Sequence, residues 1–360
     1  MKETSISETN QELIDKAVRT GAITKEEIVR ILSHSEKASD DALFRAADEV
    51  RKTWVGDDVH LRGIVEFSSF CERNCLYCGL RKDNRKPVRY RIPDNAIVEA
   101  ARAMKDLGVS TIVLQSGEDP YYDAARICRL VERIKRETSL AVTLSIGERS
   151  PEDYRAFKES GTDRYLLKHE TASPELYRSL HPDSRFRERI QCLIRLKEIG
   201  YETGSGAIIG LPGQNAEMIA DDVLLMKRMD IDMIGMGPFI PHPETPLAGA
   251  AEGKPEMVIK VLALTRILTR STNIPATTAL AVLDPDSRLR ALQAGANVIM
   301  PDFTPGKYRR RYEIYPGKGN GIQDIGLSLK QLERDLNAIG RRVGTGDGSR
   351  SSARAFSSRS

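Results

Sequence analysis

Short apolar segments alternate with amphipathic helical segments along most of this chain, and this alternation limits the fold more than any other feature of the sequence. Helical patterns separate the apolar segments, and several of these patterns end at a glycine, as at Gly108 and Gly200. Eight strands that are each followed by a helix predict an α/β fold, a closed (β/α)8 barrel of the TIM type. The eight candidate strands are 61–67, 111–116, 141–146, 164–169, 205–210, 233–237, 276–281 and 297–300.

An open, doubly wound sheet is the alternative arrangement of alternating strands and helices. That fold is expected to carry a glycine-rich phosphate-binding turn directly after its first strand. Here the first strand runs into cysteines instead, at Cys71, Cys75 and Cys78. The barrel is therefore the favoured fold.

The chain divides into four predicted regions. Residues 1–55 form an N-terminal helical lead-in, where Thr24 and Glu27 are placed as a capping box. Residues 56–318 form the barrel, and 319–344 a C-terminal helix. Residues 345–360 are rich in Gly, Ser and Arg, which predicts a disordered tail.

Composition and charge exclude several classes of protein. The net charge of +4 is small and comes without a basic stripe interleaved with aromatics, so we expect no nucleic-acid partner. No window approaches eighteen uninterrupted apolar residues, and the first residues are polar, so we expect neither a membrane span nor a secretory signal. Three of the five cysteines fall within eight positions, which indicates a metal site in a reducing cytoplasm rather than a disulfide framework.

Cys71, Cys75 and Cys78 form a C-x3-C-x2-C run directly after the first strand. Three thiolates in one short loop can hold three corners of a four-iron, four-sulfur (4Fe-4S) cluster. The fourth iron then lacks a protein ligand and can bind a chelating small molecule. A zinc site is the alternative, but it would want four ligands, and no second cysteine pair exists. Cys128 and Cys192 fall in helical segments, where core packing is the simpler role.

Unusual residues follow other predicted strands, at the end of a barrel where catalytic groups lie. Strand two ends in a polar, glycine-containing segment that is either a ligand-binding loop or a plain turn. In strand four, Lys168 and Glu170 share one face and point inward, either to pair with each other or to bind a ligand, while His169 points to a helix. Candidate residues at the later strand ends are Thr277 and Thr278, whose hydroxyl groups can hydrogen-bond a carboxylate. Tyr312 and Tyr315 are further candidates, although tyrosines at such positions have a packing role as often as a functional one.

The cysteine spacing resembles that of the radical S-adenosylmethionine (SAM) superfamily. The wider sequence resembles one branch of it, the HydE-type FeFe-hydrogenase maturases. The resemblance covers about 62–318 and all eight strand ends. It is carried by the segments 79–84, 113–122, 165–172, 210–214, 237–243, 274–279 and 295–301.

The resemblance implies a 4Fe-4S cluster and SAM as cofactors. Cys71, Cys75 and Cys78 would hold the cluster, and the fourth iron would bind the amine and carboxylate of SAM. The residues that would contact SAM are Tyr77, Gln115, Ser116, Gly117, Glu118, Glu170, Arg189 and Met233. The residues that would lie near substrate are Lys168, Thr277, Thr278, Tyr312 and Tyr315.

The function implied is generation of a 5′-deoxyadenosyl radical in maturation of the two-iron subcluster of FeFe-hydrogenase. The partners implied are a small-molecule or organometallic substrate, other maturases and a reductant such as ferredoxin or flavodoxin. Two features depart from the resemblance. Lys168 stands where relatives often carry Arg, and Lys, unlike Arg, cannot bind a carboxylate through two parallel hydrogen bonds. In addition, no cysteines that could bind a second cluster follow Tyr315. Methylornithine synthase, a radical SAM mutase, and a non-catalytic iron–sulfur carrier are the alternatives.

Overall fold

A ring of parallel strands forms the centre of the protein, whose computed structural model describes residues 9–34, 36–319 and 324–350. β1 to β5 pair in chain order, and β5 pairs with β7. A separate short pair joins β6 to β8. The strands of the described residues are β1 (Asp58–Ser68), β2 (Thr111–Ser116), β3 (Ala141–Ser145), β4 (Arg164–Leu166), β5 (Glu202–Ser205), β6 (Ile208–Ile209), β7 (Met233–Ile234), β8 (Gly237–Pro238), β9 (Val298–Ile299) and β10 (Arg342–Val343).

Single bridges close the ring between β7 and β9. Met233 of β7 bridges to Asn273, and Pro275 bridges to Val298 of β9, in both cases in parallel. β9 in turn pairs with β1. Eight parallel positions therefore surround the barrel axis, and the predicted (β/α)8 barrel is confirmed.

The predicted bounds of the seventh strand, 276–281, are wrong, because Thr278–Leu283 is helical. Pro275 has no N–H to donate to a neighbouring strand, so pairing at this position is limited to the bridges beside it. The Ala and Leu residues that follow have high helix propensity, and they form a short helix instead.

Helices cover the outside of the ring. Val65 and Phe67 of β1 point outward and share an apolar core with Ile97 and Val98 of α4. Alternate strand residues face the lumen, so one strand has both a packed side and a functional side. The helices of the described residues are α1 (Asn10–Thr20), α2 (Lys25–Ser33), α3 (Lys37–Val55), α4 (Asp94–Asp106), α5 (Ala124–Thr138), α6 (Pro151–Glu159), α7 (Pro174–Leu180), α8 (Phe186–Ile199), α9 (Ala216–Arg228), α10 (Pro255–Thr269), α11 (Thr278–Leu283), α12 (Ser287–Gln293), α13 (Gly306–Arg309) and α14 (Ile325–Ala338).

Helices α1, α2 and α3 pack against α9 and α10 on one side of the barrel. The sequence predicts the start of α2 correctly, since Thr24 and Glu27 form a capping box there. Buried side chains of α1, α2 and α3, such as Ile14, Ile28 and Ala47, belong to the apolar core that also contains the inner face of α10.

The C-terminal region departs from the predicted helix over 319–344. Only Ile325–Ala338 is helical, residues 320–323 lie outside the described part of the chain, and β10 pairs with the start of β1. Residues 345–350 then cross the amino-terminal end of the barrel. The carbonyl of Gly348 accepts a hydrogen bond from Arg62 at 3.0 Å, and that of Asp347 accepts one from Arg164 at 3.1 Å.

The predicted disordered tail is therefore wrong for residues 345–350. Arg62 and Arg164 are buried, and a buried guanidinium group needs acceptors, which these backbone carbonyls supply. Residues 351–360 of the predicted tail lie outside the described residues.

Candidate active site

A cavity of about 340 Å³ lies at the carboxyl ends of the barrel strands. It is lined by all of the sequence-predicted site residues except Tyr312. The barrel therefore brings together residues that are up to 244 positions apart in the sequence. They are Cys71, Cys75, Tyr77, Cys78, Gln115, Ser116, Gly117, Glu118, Lys168, Glu170, Arg189, Met233, Thr277, Thr278 and Tyr315.

The cysteine loop follows β1 and is fixed by backbone hydrogen bonds to three distant segments. Glu72 N donates to Glu118 O at 2.9 Å, Leu76 N to Leu180 O at 2.9 Å, and Gly79 N to Ile314 O at 3.0 Å. Because these contacts hold the loop from several sides, it presents its cysteine side chains to the cavity in one arrangement.

The three thiols fit the donor set of a 4Fe-4S cluster. Cys71, Cys75 and Cys78 are free and partly buried. Burial raises the pKa of all three, that of Cys78 to about 12, so the cavity favours protonated thiols until positive charge is supplied. In the described residues no group of His, Cys, Asp or Glu side chains is arranged around a single metal ion. A 4Fe-4S cluster does not need such an arrangement, because each thiolate binds a different iron atom of the cluster.

Arg73, between the first two cysteines, ties the loop to two other strand ends. Its Nε donates to Oε2 of Glu118 at 2.6 Å, and its Nη1 donates to Asp183 O at 2.8 Å. Its Nη2 lies 3.4 Å from Oε2 of Glu148, whose own N–H donates to Glu118 Oε1 at 3.1 Å. Burial raises the pKa of Glu118, and Arg73 opposes that rise.

The end of β2 lies directly against the cysteine loop. A Cβ atom built on Gly117 would lie 2.4 Å from the carbonyl oxygen of Phe70 and 2.6 Å from Cβ of Cys71. Only glycine allows this close approach. Gln115 bonds Ser145 of β3 at 3.4 Å, and Ser116 donates its hydroxyl to Gly117 O at 2.7 Å.

Lys168 and Glu170 both line the cavity and do not pair with each other. Within the described residues, Oε2 of Glu170 is buried without a hydrogen-bond partner, and the Lys168 ammonium makes no hydrogen bond or ion pair there. Glu170 has a φ of 67°, a conformation that a non-glycine residue adopts at a cost of about 1–3 kcal/mol. Its backbone is held there by Gly206 O at 3.0 Å and Ile208 N at 2.9 Å.

His169 points away from the cavity, as the alternation along the strand predicts. It is 1% exposed and lies 3.0 Å from Oγ of Ser205 and 3.2 Å from Oδ1 of Asp222 on α9. These contacts satisfy both ring nitrogens in the core, so His169 has a structural role.

Arg189 reaches the cavity from α8. Its Nε donates to Oε1 of Glu148 at 2.6 Å, and its Nη1 donates to Lys168 O at 2.7 Å. Tyr77 contacts His181 through its hydroxyl, at 2.8 Å from Nε2. Both side chains are thus held by the protein in fixed orientations at the cavity wall.

The side of the cavity formed by the later strands carries hydroxyl groups. The Thr277 hydroxyl is buried and has no hydrogen-bond partner among the described residues. Thr278 and Tyr315 also line this side. Tyr312 does not line the cavity. It is 2% exposed in the outer core, and the Lys318 ammonium lies 5.0 Å from its ring.

Sequence reasoning missed several groups of the site. Arg73 lies between Cys71 and Cys75, and Glu148 follows Gly147 just after the third predicted strand, so a charge next to a cysteine or a glycine was the available signal. The ion pair of Glu66 with Lys318 at the cavity gave no such signal. Burial lowers the pKa of Lys318 to about 7.

No helix among the described residues has the length and apolar character needed to cross a membrane.

Comparison with known proteins places these features in a family. The model of the radical SAM superfamily matches residues 65–226. The FeFe-hydrogenase maturase subunit HydE of Thermotoga maritima is 48% identical over 95% of this chain and 98% of its own length. The 3-methylornithine synthase of Methanosarcina barkeri is 28% identical over 91% of each chain. The crystal structure of a methylornithine synthase (PylB) matches with a TM-score of 0.82 at 27% identity, covering 92% of this chain and 97% of that one.

The relative at 48% identity spans nearly the whole of both chains, and the barrel and cysteine motif described above are those of the matched superfamily. The chain therefore belongs to the radical SAM superfamily and, within it, to the HydE family of FeFe-hydrogenase maturases.

Proposed function

We propose that this enzyme binds a 4Fe-4S cluster through Cys71, Cys75 and Cys78, binds SAM beside it, and acts in maturation of the two-iron subcluster of FeFe-hydrogenase. The observation that carries the proposal is the convergence of three free thiols with Glu170 and Arg189 on one cavity. When bound, the reduced cluster supplies the electron that cleaves SAM to methionine and a 5′-deoxyadenosyl radical.

Two charged side chains suit the two ends of an amino-acid group in SAM. Arg189 is held by Glu148 and by Lys168 O, and its planar guanidinium can grip a carboxylate. Glu170 offers a buried carboxylate oxygen with no partner among the described residues, which can accept a hydrogen bond from SAM. The backbone at Gln115 to Glu118 lies on the same wall.

The walls of the cavity serve to keep water away from a reactive radical. Leu166, Ile208, Phe239 and Ile240 supply apolar lining between the polar groups. A largely apolar lining limits side reactions of reactive intermediates with solvent.

The far side of the cavity suits a substrate that carries an anionic group. Lys168 is a cation that makes no hydrogen bond or ion pair with the described residues, and the Thr277 hydroxyl is buried without a partner there. A small carboxylate-bearing molecule or an organometallic iron complex with a cysteine ligand would satisfy both. Other maturases are the proposed suppliers and acceptors of that substrate.

The proposal is tested with anaerobically reconstituted protein, dithionite and SAM, by measuring 5′-deoxyadenosine. We expect product from the parent and from Cys192→Ala, whose cysteine is buried outside the cavity. Cys75→Ala should lose the cluster and the product. A parent protein that holds a full cluster yet forms no 5′-deoxyadenosine would instead be a non-catalytic iron–sulfur carrier.

Methylornithine synthase activity is the second candidate, favoured by the barrel match at a TM-score of 0.82. The two functions are separated by adding the gene to a strain that lacks its own HydE-type maturase. Restored hydrogenase activity supports the proposal, and turnover of lysine without such restoration supports the mutase. Lys168→Met should stop either substrate reaction, whereas SAM cleavage without substrate should persist.

A further inference from the structure

A strongly basic loop lies directly outside the cysteine loop. Residues 81–91 contain six Lys or Arg residues and a single acid, Asp83. The backbone N–H of Arg81 donates to Cys78 O at 3.0 Å, and that of Lys82 donates to Arg73 O at 2.8 Å. The basic loop and the cysteine loop are therefore adjacent layers of one structure.

Arg89 fixes the basic loop and leaves other cations free to face outward. Its guanidinium donates to Leu80 O, Arg81 O and Asn84 O, each at 2.9 Å. Lys82, Arg85 and Lys86 are exposed, and Lys86 also pairs with Glu244. Val88, between them and Arg89, is 67% exposed, the largest exposed fraction among the large apolar side chains of the described residues.

A second basic segment adjoins the first. The helix α13 and the residues after it follow β9, which pairs with β1, so the segments after these two strands are neighbours. The rings of Tyr90 and Tyr308 join them, with centroids 4.9 Å apart. Lys307, Arg310 and Arg311 are exposed on this segment.

We propose that these two segments form the docking face for an acidic protein that carries one electron at low potential. The face consists of Lys82, Arg85, Lys86, Lys307, Arg310 and Arg311 around Val88. This inference rests on the proposed function, because reductive cleavage of SAM consumes one electron that must come from outside the protein. The carrier loses one electron and the cluster gains it, and no bond or proton changes place at the face.

Position, charge and an exposed apolar side chain favour an acidic electron carrier over other partners. The backbone contacts above make the basic loop the outer cover of the cysteine loop, so a protein docked on it lies close to the cluster site. Clustered cations steer an acidic partner, and a central apolar side chain adds a desolvated contact. Single-stranded nucleic acid would want exposed aromatic rings for base stacking, whereas Tyr90 is buried and packs on Tyr308.

The test compares two double charge reversals that change net charge equally. The test variant is Lys82→Glu with Arg85→Glu. The control is Lys105→Glu with Arg136→Glu, which are exposed near the C-terminal ends of α4 and α5, at the opposite end of the barrel. Binding of a bacterial flavodoxin is measured by calorimetry on both cluster-free and reconstituted protein, at low and high salt.

We expect the test variant to bind flavodoxin about tenfold more weakly than the parent, and the control within twofold of it. Added salt should weaken binding by the parent more than binding by the test variant. The rate of 5′-deoxyadenosine formation should fall for the test variant with reduced flavodoxin but stay within twofold of the parent with dithionite, which needs no docking.

Equal binding by the parent and the test variant would overturn the proposed face. An equal loss of flavodoxin affinity in the test variant and the control variant would also overturn it. So would a loss of 5′-deoxyadenosine formation with dithionite in the test variant alone. A parent that turns over with dithionite but binds neither flavodoxin nor ferredoxin also contradicts it. Failure of the proposed function is distinct, since the loaded parent would then form no 5′-deoxyadenosine with any reductant.

Discussion

The Nε atom of Arg73 lies 2.6 Å from Oε2 of Glu118, and this ion pair ties the cysteine loop to the end of the second strand. The Arg73 side chain is 26% exposed and that of Glu118 is 10% exposed, so the pair is shielded from solvent. The same guanidinium reaches Glu148, which also binds Arg189. One network thus connects the cluster loop with the proposed SAM-binding arginine.

Replacing Arg73 with Ala should leave the buried Glu118 carboxylate without its cation and Glu148 with Arg189 as its remaining ion-pair partner. We expect a loss of about 1–3 kcal/mol in the free energy of unfolding of the cluster-free protein, measured in urea. Iron content per chain after reconstitution should also fall, because the loop is no longer held. Arg155→Ala, which breaks an exposed pair with Glu152, is the control and should cost less than about 1 kcal/mol. Equal losses of unfolding free energy in the two variants would contradict the proposed role of Arg73 in holding the cysteine loop.

Replacing Gly117 with Ala should displace the cysteine loop. The added Cβ would lie 2.4 Å from a backbone oxygen at Phe70, which cannot move without moving Cys71. We expect at least a severalfold drop in bound iron, read from the absorbance of the reconstituted protein. Gly249→Ala adds the same methyl group where no atom lies within 4 Å, and it should retain the parent's iron content. If the Gly117 variant also retains it, the close approach is not required.

Local patterns predicted the parts of this fold that depend on neighbouring residues. The apolar run of β2 and the capping box at Thr24 are of this kind, and the structure has both. Contacts between distant segments were missed. Glu66 and Lys318 are 252 positions apart, and nothing in either local sequence marks the other. Residues 345–350 belong to the Gly-, Ser- and Arg-rich segment 345–360, whose composition predicts disorder. Composition alone does not show that the carbonyls of Gly348 and Asp347 accept hydrogen bonds from Arg62 and Arg164.

The stability of the cluster-free protein should fall on acidification through His181. Burial lowers the pKa of His181 to about 4, whereas an unfolded His titrates at about 6.5. Between these two values the unfolded state binds a proton that the folded state does not, so stability is lost as pH falls from about 6.5 to about 4. The gap corresponds to at most about 3 kcal/mol.

The measurement is the free energy of unfolding in urea at pH 7.5, 6 and 5, for the parent and for His181→Asn. We expect a shallower dependence on pH for the variant. His34→Asn, which removes an exposed histidine, should keep the slope of the parent. A His181→Asn variant with the parent's slope would show that other groups cause the loss.

The segment 345–350 should stabilise the barrel from its amino-terminal end. Ending the chain after Gly344 removes the carbonyl of Gly348 that Arg62 binds at 3.0 Å. It also removes two acceptors of Arg164, the carbonyl of Asp347 and the hydroxyl of Ser349, and leaves Arg164 paired with Glu202. Hydrogen bonds to charged groups contribute about 1.5–3 kcal/mol each, and the arginines would be left buried without these acceptors. We expect the shortened chain to lose about 3 kcal/mol or more against a reference chain that ends at Arg350, as measured by urea unfolding. Equal stability of the two chains would mean that water replaces these acceptors without cost and that the segment does not hold the barrel closed.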